Sequence, residues 1–284
     1  MNNFLCALRA ELFVAVRTTP ARLIVLMPAL IVTLRLALEK ITEAGNSARQ
    51  SLLGQGSLDI AAGNAYGHFV DGLGTGLILL GLSLVSYTAW SFASDRDTGA
   101  LRHLLIRRLS RRTLILSKLL VAHLIGLVAL LLMLLVLFLL CSWLWEFGPV
   151  VEDGYELISV AEMQKEVSLG FRLAVIPLPA AIAFGLLVAV LTQSATQAVS
   201  AALGITLALD IFKGLLGDYS HYLYARFQPS LIDASYLQDV GRLVRGYSDV
   251  LIDERALLLN YWVPLPQMLL FTAIALLVVP ARRL

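Results

Sequence analysis

The sequence predicts an all-α integral membrane protein: six transmembrane helices, an N-terminal interfacial helix and an outer amphipathic loop before the last span. Three observations predict it. Of 284 residues, 58% are hydrophobic and only 15% charged, and mean hydropathy is +0.80, whereas a soluble domain is about half apolar and a quarter charged. Six continuous apolar runs each reach the ~20 residues that a helix needs to cross a bilayer. Lys and Arg gather in alternate loops, as the positive-inside rule requires. This composition excludes a disordered chain, a nucleic-acid-binding tail and an ordinary soluble enzyme.

The elements follow in order. Within residues 2–19, Phe4, Leu5, Leu8, Leu12, Phe13 and Val16 recur at helical spacing, with Arg9 and Arg17 elsewhere on the wheel. That pattern reads as an amphipathic helix in the membrane interface, and Pro20 separates it from the first span. Arg9, Glu11 and Arg17 interrupt any signal-peptide core, so the first span is expected to remain as an anchor. The spans run over about 21–38, 73–93, 114–145, 172–191, 196–216 and 257–279. Between the last two, Tyr236, Leu237, Val240, Leu243, Val244, Tyr247 and Leu251 form a second amphipathic series. It predicts a folded cap lying against the membrane.

Charge placement sets the orientation. Arg9, Arg17 and Arg22 precede span one, and Arg96, Arg102, Arg107, Arg108, Arg111, Arg112 and Lys118 lie between spans two and three. Arg282 and Arg283 follow span six. The loop after span three is acidic, with Glu146, Glu152, Asp153, Glu156, Glu162 and Glu166. Both termini are therefore expected in the cytoplasm of a bacterial-type plasma (inner) membrane. On this topology Cys6 and Cys141 fall on opposite sides and cannot pair within a subunit; both read as free thiols at apolar sites. The four histidines are scattered and read as packing or interfacial residues, without metal-ligand spacing.

No phosphate loop, nucleophile elbow or zinc-protease motif occurs, which predicts no catalytic, cofactor or metal site on this chain. The informative segment is the loop from Ser94 to Lys118. Asp95 and Asp97 precede Gly99 and Ala100, where a short helix is expected to start with acids at its N-terminus. Leu101, Leu104 and Leu105 then form an apolar face among arginines, and Ser110, Arg111 and Lys118 follow. A loop that only fixed topology would need the arginines but not the leucine face.

At these residues the sequence resembles the permease subunits of ABC-2 type ABC transporters. Their loop between spans two and three reads acid-x-acid-x-Gly-[Thr/Ala]-Leu-x-x-Leu-Leu, then Pro-x-Ser-Arg, then a Lys seven residues on. Two departures are Asp in place of Glu at both acid positions and Arg108 where Pro is common. The six spans, cytoplasmic termini and outer cap extend the resemblance over nearly the whole chain, as one transmembrane domain over 1–284 with its coupling loop at 94–113.

The resemblance implies that about 95–108 is a coupling helix docking into a separate ATPase subunit. Asp95, Asp97, Gly99, Leu101, Leu104, Leu105, Arg108 and Arg111 would carry that contact. It further implies a second permease copy, identical or related, and ATP with Mg on the partner ATPase rather than here. Membrane lipid is the remaining partner, and no nucleic acid is expected. Arg35, Asp210 and Lys213 fall inside predicted spans, where a charge is costly and usually paired. Arg35 and Asp210 lie at matching depth, so a pair across spans one and five is one expectation; a snorkelling Arg35 with a local Asp210–Lys213 pair is the other. The small-residue pairs Gly72/Gly76 and Ser200/Gly204 mark candidate packing faces.

The reading is thus an ATP-driven exporter permease whose cargo is apolar or amphipathic: a lipid, drug, antibiotic peptide or lipid-linked polymer. The alternative is a polytopic scaffold or assembly factor, including an ABC permease that serves extracytoplasmic metal-centre assembly. An intramembrane enzyme or an ion-coupled transporter fits less well, for want of a nucleophile set, an inverted repeat or a carboxylate relay.

Overall fold

A computed structural model describes residues 3–52, 64–99, 110–152, 155–247 and 253–281. Helix α1 (Asn3–Arg17) is followed by α2 (Thr19–Leu52), α3 (Ala65–Asp97) and α4 (Arg111–Leu144). A hairpin of β1 (Val150–Glu152) and β2 (Tyr155–Ile158) comes next. Then come α5 (Val160–Val175), α6 (Leu178–Leu191), α7 (Ala195–Phe212), a 3-10 stretch (Lys213–Tyr222) and the short α8 (Tyr224–Phe227). Helices α9 (Tyr236–Leu243), α10 (Glu254–Trp262) and α11 (Pro264–Ala281) complete the described chain.

Among the described residues, six stretches are long and apolar enough to cross a membrane: Thr19–Leu52, Ala65–Asp97, Arg111–Leu144, Val160–Leu191, Ala195–Tyr222 and Glu254–Val279. The protein is all-α in its spans, as its unbroken apolar runs dictate, because a helix satisfies every backbone group within one segment. Pro20 sits in the first turn of α2, where its missing N–H costs nothing, and α1 ends just before it at Arg17. Pro177 divides the fourth stretch: α5 ends at Val175 and Pro177 leads into α6. Helix α5 opens on a capping box between Ser159 and Glu162. The sequence reading did not foresee the hairpin, whose strands flank Asp153-Gly154, a two-residue turn signal.

Helix α3 is the hub, touching α2, α4, α6 and α7 along its length. Gly72 and Gly76 allow that closeness: a Cβ on Gly72 would lie 2.6 Å from Leu137 of α4, and one on Gly76 would lie 3.0 Å from Val32 of α2. Gly204, in the other small-residue pair, has nothing within 4 Å and lies on an open face of α7. Helix α6 fills the space between α3 and α11.

The amphipathic series after residue 235 is placed differently from its expectation. Leu237, Val240 and Val244 are buried, and Leu237 and Val240 meet Gly170 of α5. This face covers protein rather than lipid, because α5 and α3 offer it a close-packed groove. Arg35 does not reach Asp210 either, as described below. Of the two cysteines, both free, Cys141 is buried and Cys6 exposed.

Candidate functional site

The two ends of α3 carry the polar chemistry. At its C-terminal end, Thr98 caps the helix by donating its N–H to Ser94 O and Arg96 O, and Gly99 follows at φ 73°. That left-handed conformation is the ordinary reason for glycine just past a helix. Asp95 and Asp97 therefore lie in the last turn of α3; the short helix that the sequence places after them falls outside the described residues. The helix dipole opposes carboxylates there, and each is held by a partner instead.

Asp95 meets Lys118 of α4 at 2.5 Å. The Lys118 ammonium also donates to Glu11 Oε2 of α1 at 3.0 Å and to Ser91 Oγ at 3.2 Å. Its three N–H groups thus tie α4 to α1 and α3, and its side chain is only 5% exposed. Burial raises the Glu11 carboxyl above the ordinary carboxylate range, and Lys118 offsets this only in part. Asp97 accepts from Ala195 N at 2.7 Å, at the first turn of α7. Arg96 donates to Thr192 O at 2.7 Å, at the end of α6. One turn of α3 thereby caps both sides of the α6–α7 bend. Ser110 caps α4 by accepting from Thr113 N at 3.0 Å, and Arg111 donates to Val279 O at 3.2 Å, near the end of α11.

The expected coupling helix itself lies outside the described residues, with Leu101, Leu104, Leu105 and Arg108. What is described is the chain on either side of it. Asp95, Asp97 and Arg111 face neighbouring helices and fix the two ends of the loop to α1, α4, the α6–α7 bend and α11.

At the opposite end, Arg35 Nε lies 2.7 Å from Glu39, its Nη1 donates to Asp71 O at 3.0 Å, and its Nη2 lies 3.2 Å from the Asp71 carboxylate. Thr75 is a further close partner of Arg35, and Arg245, after α9, closes on Asp71 from the other side. His68 stands between Glu39 and Glu43, with each ring nitrogen 2.9 Å from a carboxylate oxygen. It stacks on Trp145, ring centroids 4.0 Å apart, and the Trp145 indole N–H donates to Glu43 at 2.8 Å. Beside this network opens a cavity of about 620 Å³.

The third buried charge, Asp210, pairs with Lys213 at 2.8 Å and accepts from Ile232 N at 3.2 Å, while Lys213 donates to Ser230 at 2.7 Å. The local pair is therefore the one formed, and Arg35 takes Asp71 and Glu39. The reason is reach: Asp71 lies on the helix packed beside Arg35. Outside the spans, burial pushes the Tyr236 hydroxyl up, and the Glu166 carboxylate to which it donates raises it further.

Sequence reasoning missed Glu11, Asp71, His68, Trp145 and Arg245. The signal for Glu11 was a single acid in a basic amphipathic helix; for His68 it was the i, i+4 spacing of Glu39 and Glu43. Among the described residues, no group of three or more His, Cys, Asp or Glu is arranged to hold a metal ion.

The geometry has a counterpart among known families. The model of the ABC-2 family transporter protein matches residues 10–278. No curated protein and no solved structure matches the chain. A bundle of six membrane-crossing helices, covered almost end to end by that family model, is a multi-pass membrane component of a transporter, and the chain belongs to the ABC-2 transporter family.

Proposed function

We propose that this chain is the permease subunit of an ATP-driven ABC exporter, forming one transmembrane domain over its full length. Two permease copies, identical or related, work with two separate ATPase subunits that bind ATP and Mg. The termini and the 94–113 loop face the cytoplasm, as the arginine distribution supports. The cargo is apolar or amphipathic.

The observation that carries this reading is the mounting of the 100–109 loop. A ligandless topogenic loop needs no rigid base, yet this one is strapped at both ends by Lys118, Arg96, Asp97 and Arg111. A push on it reaches α1, α4, the α6–α7 bend and α11 together, as rigid-body switching requires. Leu101, Leu104 and Leu105 are assigned the docking contact, with Arg108 at its rim. Asp95, Asp97, Gly99 and Arg111 are assigned to hold the loop.

Purification through a tag on this chain, followed by native mass measurement, tests the assignment. Two permease copies with two soluble ATPases are expected. Replacing Leu101, Leu104 and Leu105 by Ser should release the ATPases and leave membrane insertion normal. A chain that emerges without ATPases, under conditions that preserve a control ABC complex, is a scaffold instead.

A further inference from the structure

The described acids at the arginine-rich end, Glu11, Asp95 and Asp97, are all engaged. Glu11 and Asp95 hold Lys118, and Asp97 accepts from Ala195 N. The bend between α1 and α2 is left with two guanidiniums. Arg17, the last residue of α1, stacks on Phe13, with its guanidinium carbon 3.9 Å from the ring centroid. Arg22, in the first turn of α2, reaches back across the bend and donates from Nε to Val16 O at 3.1 Å. Both residues are exposed, and among the described residues neither meets a carboxylate.

These contacts brace the two side chains and leave their binding edges free. Stacking on a ring covers the face of a guanidinium, not its N–H groups. Capping α1 uses one donor of Arg22, and the two terminal nitrogens hold the other four. A fork already held in place loses less freedom when it takes an anion. The surface around the forks is apolar: Phe13 and Val16 are 57% and 70% exposed. From Arg22, Leu26 and Leu30 follow at i+4 and i+8 as one exposed stripe of α2. A positive-inside signal needs arginines anywhere on this side of the membrane, as the exposed Arg9 and Arg112 are. It does not need two of them braced at one bend, at the head of a leucine stripe.

We propose that the α1–α2 bend binds an anionic phospholipid of the adjoining leaflet, with its phosphate between Arg17 and Arg22 and an acyl chain along Leu26 and Leu30. The partner is a lipid rather than an acidic protein because the apolar stripe runs from the guanidiniums into the span. Phosphate suits the site because guanidinium N–H groups match its oxygens two at a time. Neither cargo nor ATPase enters this contact, which goes beyond the exporter reading and does not rest on it.

In the test, the full chain in detergent is equilibrated with equal amounts of phosphatidylglycerol and phosphatidylcholine of the same acyl chains. Native mass measurement then counts the lipid retained. Retention of phosphatidylglycerol at least about tenfold above phosphatidylcholine is expected. The R17Q/R22Q double variant should lose most of that preference. The R17K/R22K variant keeps both charges without the planar forks and should lose at least about threefold. The R9Q/R112Q variant removes the same charge elsewhere at this end and should keep the full preference. Arg17→Gln alone leaves the Arg22 cap of α1 in place, and should lower the preference with the melting temperature unmoved. Equal retention of the two lipids, or an R17Q/R22Q variant that keeps the preference, overturns the proposal. So does a lysine pair as selective as the arginines, or a loss in R9Q/R112Q equal to that in R17Q/R22Q, since either reduces the effect to net charge. No ATPase takes part, so recovery of an ATPase and lipid selectivity stand or fall separately.

Discussion

The two ends of α3 solve the same problem in opposite ways. At the arginine-rich end, Lys118 and Glu11 are 5% and 13% exposed, and every ammonium hydrogen has a partner. At the far end, Arg35 and Glu43 are each 34% exposed, and the network borders an open cavity. A closed ion cluster holds its helices in one arrangement, because breaking it strands a buried charge. An open one costs less to rearrange, since water or a ligand can replace a lost contact. The first suits a fixed mount for the adjoining loop and the second a region that rearranges at lower cost.

The largest expected effect breaks the closed end. Lys118→Met leaves Glu11 and Asp95 facing each other without a cation, and should cost about 3–5 kcal/mol, read by denaturant unfolding in detergent. Arg35→Met at the open end should cost about 1 kcal/mol. Equal losses would remove the distinction between the ends.

A packing change sharpens it next. A Cβ on Gly185 of α6 would lie 2.6 Å from the backbone oxygen of Val85 in α3, which cannot give way. Gly185→Val should therefore destabilise by about 2–3 kcal/mol. Gly204→Val, on the open face of α7, should stay within about 0.5 kcal/mol in the isolated chain. Comparable melting temperatures for the two variants would contradict the tight α3–α6 contact.

Smaller still is Asp97→Ala. It removes the acceptor for Ala195 N and should cost about 1 kcal/mol, as loss of a helix cap does. Protease cleavage near the α6–α7 bend should rise with it; unchanged cleavage would mean that Arg96 alone holds the bend.

The finest test is pH. The Glu11 carboxyl is raised from 4.5 in the folded chain, so the native state binds more protons than the unfolded one over that interval. Its contribution is fully present below about pH 4.5 and is lost as pH rises through the folded value. Glu11→Gln should flatten that fall. An unchanged stability profile would mean that Glu11 is as well solvated as in the unfolded chain.

The spans were legible because the bilayer demands continuous apolar runs, and Leu114–Leu144 offers nothing else between His123 and Ser142. Pro20 was readable as local punctuation, since it acts through its own backbone. That Asp95 and Asp97 end α3 was not legible. Asp95 and Asp97 beside Gly99 look like a helix start, but a glycine just past a helix end has the same neighbours. Whether the acids come before or after a helix depends on the partners that neutralise them.

By itself, then, the sequence determined the number of spans, the arginine-rich end and the loop whose motif resembles a coupling helix. Tertiary structure alone decided the pairings. Lys118 finds Glu11 across 107 positions, and Arg245 finds Asp71 across 174. A charge in an apolar segment must have a partner because its desolvation is costly, and that much the sequence states. Which partner it takes follows from which helices pack side by side. Glycines such as Gly72 and Gly76 set that through close approach, which has no signature at the position of the charge itself.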